Sequence, residues 1–187
     1  MVVNANSTRV VTGKVRFSFC NLFEPRAIQE DQAPKYSVML LIPKSDTGTI
    51  TRIKNAIDSA AKKGMSTKFG GKMPPVLNTT FKDADKDTNQ DGEVFAEKWP
   101  ETKNHYIINV TSKSKPGVVD KDCNPIIDPM EVYSGCYGRA SINFFAYNNA
   151  GKKGVSAALN NVQKLEDGEP LGSIATPEQD FSDDLPY

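Results

Sequence analysis

The sequence predicts a mainly β protein, a small five-stranded Greek-key barrel with one helix after the second strand, long loops and a disordered acidic C-terminal tail. Three observations predict it. Several segments alternate apolar and polar residues with the period of a strand, only one window carries the period of a helix, and no strand–helix–strand alternation repeats along the 187 residues. Periodicity is equally compatible with an OB-type barrel and with other small Greek-key barrels.

The first strand is Thr8–Phe23, in which Val11, Val15, Phe17 and Phe19 share one face while Thr12, Lys14, Arg16 and Ser18 share the other. Residues 24–34 form a polar loop. The second strand, KYSVMLLIP from Lys35, is apolar almost throughout, as expected of a central strand. Asp46 or Thr47 caps a helix running to Lys63, with Ile50, Ile53, Ile57 and Ala60 on one face and Gly64 as its stop. From Thr67 to Asn104 the composition is that of a loop, with Gly70-Gly71, Pro74-Pro75 and a charged run. The third strand follows at His105–Lys113, with Tyr106, Ile108 and Val110 on one face and Ile107, Asn109, Thr111 and Lys113 on the other. The fourth is Gly138–Tyr147, with Ala140, Ile142, Phe144 and Ala146 opposed to Arg139, Ser141, Asn143, Phe145 and Tyr147. After the turn NNAGKK, Gly154–Leu165 forms the fifth. From Asp167 onward no apolar period remains, which reads as a disordered tail.

Composition narrows the function classes. No stretch approaches the ~18 apolar residues of a membrane span, and the N-terminus lacks the apolar core of a secretory signal. Three scattered cysteines without an export signal predict reduced thiols and a cytoplasmic setting. With a single histidine, His105, and no CxxC pair, neither a zinc site nor a histidine-based nucleophile is expected, and the sequence predicts no enzyme, cofactor or metal.

The formal net charge of zero conceals a polarity. All 23 Lys and Arg lie at or before Lys164, whereas seven of the 23 Asp and Glu follow it, which leaves +7 on residues 1–164 and −7 on residues 165–187. A basic body implies an anionic partner, and the acidic tail competes for the same surface.

The run DTNQDGEVFAEK, residues 87–98, matches the first half of a calcium-binding loop through Asp87, Asn89, Asp91 and Gly92. It then fails, because Lys98 stands where a bidentate carboxylate is required. A solvated acidic loop is the simpler reading of residues 83–93; the alternatives are a magnesium-dependent nuclease and a calcium-binding interaction module.

The polar strand faces mix cations, amides and rings: Lys14 and Arg16 on the first strand, Asn109 and Lys113 on the third, Arg139, Asn143, Phe145 and Tyr147 on the fourth, with Lys152 and Lys153 in the last turn. Tyr36 shares the face of Val38, Leu40 and Ile42 and fits the core as readily as a groove. Trp99, in EKWPE, is either a loop anchor or a stacking platform, whereas Phe17, Phe19 and Phe144 fall on core faces. Single-stranded nucleic acid requires this combination, with cations for phosphates, flat rings for unstacked bases and amides for adaptable hydrogen bonds. These residues are the predicted interface.

Four segments carry a family resemblance: YSGCYGRASINFFAYNNAGKKGVSAALNNVQKLEDGEPLG (Tyr133–Gly172), HYIINVTSKSKPGVVD (His105–Asp120), KYSVMLLIPK (Lys35–Lys44) and GKVRFSFCNLFEP (Gly13–Pro25). They resemble phage-type single-stranded DNA-binding proteins, long catalogued as a family of unknown function. The resemblance implies an OB fold over residues 1–170 and binding of single strands without sequence preference in phage replication and recombination. It also implies an acidic, aromatic-ended tail, residues 171–187, that competes with DNA and recruits replication or recombination proteins. Asp180, Phe181, Asp183, Asp184, Leu185, Pro186 and Tyr187 match that tail, which ends in Tyr where many single-strand-binding proteins end in Phe. A homodimer is left open.

Overall fold

The computed structural model describes residues 7–27 and 29–172. Nine strands form one sheet: β1 (Arg9–Val11), β2 (Val15–Arg26), β3 (Lys35–Pro43), β4 (Asn78–Thr79), β5 (Phe81–Asp83), β6 (His105–Ser112), β7 (Gly117–Val119), β8 (Tyr137–Asn149) and β9 (Lys152–Glu166). Two helices, α1 (Thr47–Thr67) and α2 (Phe95–Lys98), complete the described elements with short 3₁₀ turns. The five expected strands correspond to β2, β3, β6, β8 and β9. β2 pairs antiparallel with β3 and with β8, β3 with β6, and β8 with β9, while β6 meets β9 in parallel through Thr111 and Ala158.

The strand periods place the core. Val38, Leu40 and Ile42 of β3, Ile108 and Val110 of β6 and Ala140, Ile142 and Phe144 of β8 are all buried in one cluster, as their alternation predicts. Helix α1 adds Ile50, Ile53, Ala56, Ile57 and Ala60 to that cluster. Its N-terminus is capped by the Asp46 carboxylate, which accepts from the Thr49 N–H at 3.1 Å and from the Thr49 hydroxyl at 2.6 Å.

Four expectations are corrected. The helix continues past Gly64 to Thr67, and Gly64 is buried inside it because a side chain there would run into the Ala146 methyl of β8. The glycine serves close helix–strand approach rather than termination. The expected loop between Thr67 and Asn104 contains β4, β5 and α2, stabilised by a second apolar cluster of Met39, Leu41, Ala84, Phe95 and Ile107 with Trp99 against it. The residues on the outer face of β3 thus acquire a cover of their own, which explains why β3 is apolar on both faces.

The expected first strand is divided. The chain turns between β1 and β2, which leaves Val11 exposed and Val10 buried. A second break falls inside β2. Ser18 pairs with Met39 and Asn21 with Ser37, so Phe19 and Cys20 together oppose Val38 alone. This one-residue bulge holds Phe19 at φ 49° and turns its ring outward, 47% exposed, instead of into the core.

Candidate nucleic-acid interface

The outer face of β2, β3 and β6 is organised in cross-strand rows. Arg16, Leu41 and Ile107 form one row, Ser18, Met39 and Asn109 the next, and Asn21, Ser37 and Thr111 the third. The segment from β5 to α2 covers the apolar part of the first two rows through Ala84, Phe95 and Trp99. Beyond Trp99 that cover stops. The third row is left as the floor of a groove of about 410 Å³, lined by Phe19, Asn21, Arg26, Ser37, Met39, Trp99, Asn109 and Thr111.

Two rings mark one side of the groove. Trp99 is half-buried between Phe95, stacked at 5.8 Å, and Phe19, which meets it edge-on at 5.4 Å. Lys98 lies 5.4 Å from the Trp99 ring centre and is itself held by Glu93 at 2.6 Å, so the indole is fixed on several sides. The Glu93 carboxylate holds the Lys98 ammonium above its ordinary pKa, and Lys98 with Asn89 holds Glu93 below its own. Trp99 thus anchors the covering segment and also lines the groove.

The floor offers amides and hydroxyls. Asn21 Nδ2 donates to the Ser37 hydroxyl and to the Phe19 carbonyl, both at 3.3 Å, which props the bulge. The open end carries charge. Arg26 pairs in register with Lys35, and Lys113 lies one residue past the Tyr36–Ser112 pair, in line with them. Like charges opposite one another destabilise a sheet, so this row of cations is an arrangement that an anion would relieve.

Of the predicted side chains, Trp99 and Asn109 line this groove, Lys113 extends from its charged end, and the rest lie elsewhere. Tyr36 is half-buried on the inward face of β3. Lys14 binds Glu166 at 2.8 Å, and Arg16 donates to the Glu169 and Gly135 carbonyls at 2.6 and 3.1 Å, both beside the Tyr137 ring. Arg139 donates to the Thr12 carbonyl, and Asn143 accepts from the Thr8 hydroxyl, so the start of the chain occupies the outer face of β8. Phe145 is 43% exposed, beside Lys63 and Lys68 at the end of α1. Tyr147 is half-buried against Gly154, and Lys152 and Lys153 face Pro74 and Pro75 across a separate cleft. The tail residues Asp180 to Tyr187 lie outside the described residues.

Phe19, Arg26 and Lys35 were missed by strand periodicity. A signal for the bulge was present: the inward positions of β2 are odd at Val15 and Phe17 and even at Leu22, and that change of phase requires one residue to be turned out.

The acidic run is absorbed by structure. Asp83 and Asp85 both grip Lys44 at 2.7 Å, and Asp85 also accepts from the Asn104 N–H. Asp87 accepts from the Asp83 N–H at 2.7 Å, and Asn89 Oδ1 accepts from the N–H groups of Asp91 and Glu93. Among the described residues no group of three His, Cys, Asp or Glu is placed to hold a metal ion. No helix among them is long and apolar enough to cross a membrane.

Known proteins share this architecture. A family model described as Enterobacter phage Enc34, ssDNA-binding protein, matches residues 8–186. Protein p50 of Acyrthosiphon pisum secondary endosymbiont phage 1 is 33% identical over 175 residues, 91% of either chain. Among solved structures, the single-stranded DNA-binding protein from bacteriophage Enc34 in complex with ssDNA superimposes with a TM-score of 0.72 at 26% identity, covering 88% of this chain and 90% of that one. The single-stranded DNA-binding protein gp2.5 of bacteriophage T7 shares the fold, with a TM-score of 0.58 at 16% identity over 95% of this chain and 94% of its own.

Proposed function

The chain belongs to the family of the Enterobacter phage Enc34 ssDNA-binding protein, and from that membership we propose that it binds single-stranded DNA along the outer face of β2, β3 and β6. The observation that carries the site is the juxtaposition of Phe19 and Trp99 with the polar row Asn21, Ser37 and Thr111 and the charged row Arg26, Lys35 and Lys113. Unstacked bases lie on the rings, phosphates run past the cations, and the polar row accepts any base edge because the Asn amide and the Ser and Thr hydroxyls present both donors and acceptors. No binding step needs a metal or a nucleophile.

The ring of pairings β2–β3–β6–β9–β8–β2, with the parallel contact between β6 and β9, supports an OB-type barrel whose second and third strands present the binding face. The role is to coat single strands during phage replication and recombination, without sequence preference. The tail from residue 171 supplies −4 charge with no cation, ending in Leu185-Pro186-Tyr187, and serves as a strand mimic and a handle for partner enzymes. A chain of about 17 residues spans roughly 23 Å, enough to cross from its root to a groove on a small barrel.

The test is a titration of oligo-dT against duplex, followed through Trp99, the single tryptophan, at several salt concentrations. Expected is a strong preference for the single strand, with log K falling by about 0.7 per phosphate contacted for each decade of salt. Equal binding to duplex, or affinity indifferent to salt, sinks the proposal. Removal of residues 173–187 is expected to leave or tighten strand binding and to abolish capture of replication enzymes.

A further inference from the structure

The segment from Asp120 to Glu131, between β7 and β8, is held firmly yet offers apolar side chains to water. The Asp120 carboxylate accepts from the N–H groups of Asp122 and Asn124 at 2.8 and 2.9 Å, and Asp128 accepts from the Met130 N–H at 2.9 Å. Ile126 and Val132 anchor the segment in the core at 8% and 5% exposure. Between these anchors Ile127 and Met130 stand 86% and 83% exposed. Their surroundings are acidic, with four carboxylates and one lysine between Asp120 and Glu131. An exposed apolar pair on a preorganised loop, rimmed by charge, is the form of a docking knob.

A surface of the opposite character lies at the other end of β8. The cleft of about 600 Å³ beside Pro74 and Pro75 is lined by Lys72, Lys152 and Lys153 and by no carboxylate. Its apolar rim is exposed too, Met73 at 41% and Val76 at 71%. The two prolines stiffen this rim, so little freedom is lost when it is covered. The 13 residues of β8 separate knob from cleft, roughly 40 Å of strand, so one copy cannot close the contact on itself.

We propose that the Ile127–Met130 knob of one copy docks into the Val76–Lys152 cleft of the next, joining copies head to tail along a single strand. A knob and a cleft of opposite charge at opposite ends of one molecule make a heterologous contact, which propagates as an open chain instead of closing as a two-fold dimer. Charge complementarity sets the register and apolar burial supplies the attraction. The inference rests on the strand-binding reading for the template that aligns the copies. It adds a surface that shares no residue with the Phe19–Trp99 groove.

The experiment uses the full chain, with Ile127→Asp/Met130→Asp as the knob variant and Val76→Asp as the cleft variant. On an oligo-dT that holds one copy, both variants are expected to bind like the wild type. On long poly-dT, each is expected to lose at least tenfold in cooperativity while the wild type binds cooperatively. Wild type that fails to bind the short oligomer overturns the strand-binding reading. Wild type that binds it yet coats poly-dT without cooperativity, or variants that coat as the wild type does, overturn the contact alone. So does a loss of short-oligomer affinity in the variants, because the surfaces would then belong to the strand site. The two variants mixed on an oligomer long enough for two copies are expected to recover pairwise cooperativity, since one still has a cleft and the other a knob. A mixture no better than either variant by itself also overturns the head-to-tail contact.

Discussion

Phe19 meets the Trp99 ring edge-on, with centroids 5.4 Å apart and planes inclined at 75°. The contact joins a bulge in β2 to a helical turn some 80 residues later in the chain, and it exists only because Phe19 is held at φ 49°. A left-handed phenylalanine costs about 1–3 kcal/mol, and such strain persists where the surroundings enforce it. Phe19→Gly separates the backbone from the ring. Glycine adopts this φ freely, so denaturant unfolding is expected to show stability within about 1 kcal/mol of the wild type. Strand affinity is expected to fall by roughly 5- to 150-fold, in keeping with about 1–3 kcal/mol per base stack. Affinity unchanged by the substitution removes Phe19 from the interface.

Arg26→Ala and Lys35→Ala address the cationic row. Each substitution relieves the repulsion across the β2–β3 pair, so neither is expected to lower the melting temperature. Each is expected to flatten the salt dependence of oligo-dT binding by about 0.7 in slope, and Lys113→Ala by the same amount. A slope that stays constant for all three places the phosphates elsewhere.

The covering segment is tied down by carboxylates that respond to acid. The Lys44 ammonium and the Asn104 N–H hold Asp85 below its usual carboxylate pKa, and Lys98 does the same for Glu93. A pKa depressed in the folded state contributes stability above the unfolded value, lost as pH falls through the folded one. The loss therefore begins below about pH 4, near the ordinary carboxylate range, and is complete only at still lower pH. Trp99 emission is expected to change over that acid window ahead of global unfolding. In Asp85→Asn/Glu93→Gln the early change is expected to vanish, and its persistence would assign it to other groups.

Gly64→Ala tests the helix–strand contact. At an exposed helical glycine this substitution stabilises by up to ~1 kcal/mol. Here the added methyl meets Ala146, and overpacking of about 1–3 kcal/mol is expected instead, seen as a lower melting temperature. Adding Ala146→Gly is expected to recover part of it. A stabilised single variant contradicts the packing of α1 on β8.

The three thiols are expected to separate by reactivity. Cys123 is exposed, whereas burial pushes the Cys20 thiol up to about 12 and raises Cys136 as well. At pH 8 a pKa near 12 leaves about one Cys20 in ten thousand as thiolate. An alkylating reagent is expected to label Cys123 rapidly and the other two only on unfolding. Rapid labelling of Cys20 would show that the bulge opens in the native state.

Much of this molecule is written locally. The alternation in HYIINVTS and in GRASINFF marked which side chains enter the core, and the apolar run KYSVMLLIP marked a central strand, because a strand's two faces depend only on neighbouring backbone geometry. The Asp46 cap and the separation of charge between body and tail are likewise local or compositional. The interface is not. A one-residue bulge inverts the side chains that follow it in β2 as far as the next irregularity, between Asn21 and Arg26, which placed Phe19 in the groove and not in the core. Trp99 and Arg26 come to line one groove with that ring, and Lys35 falls opposite Arg26, only when the covering segment packs on β3 and the strands fall into register. Sequence by itself determined the five long strands, the inward faces of β6 and β8 and the kinship. Tertiary structure alone decided which rings and cations share a surface, because that depends on contacts between residues far apart in the chain, which no local period encodes.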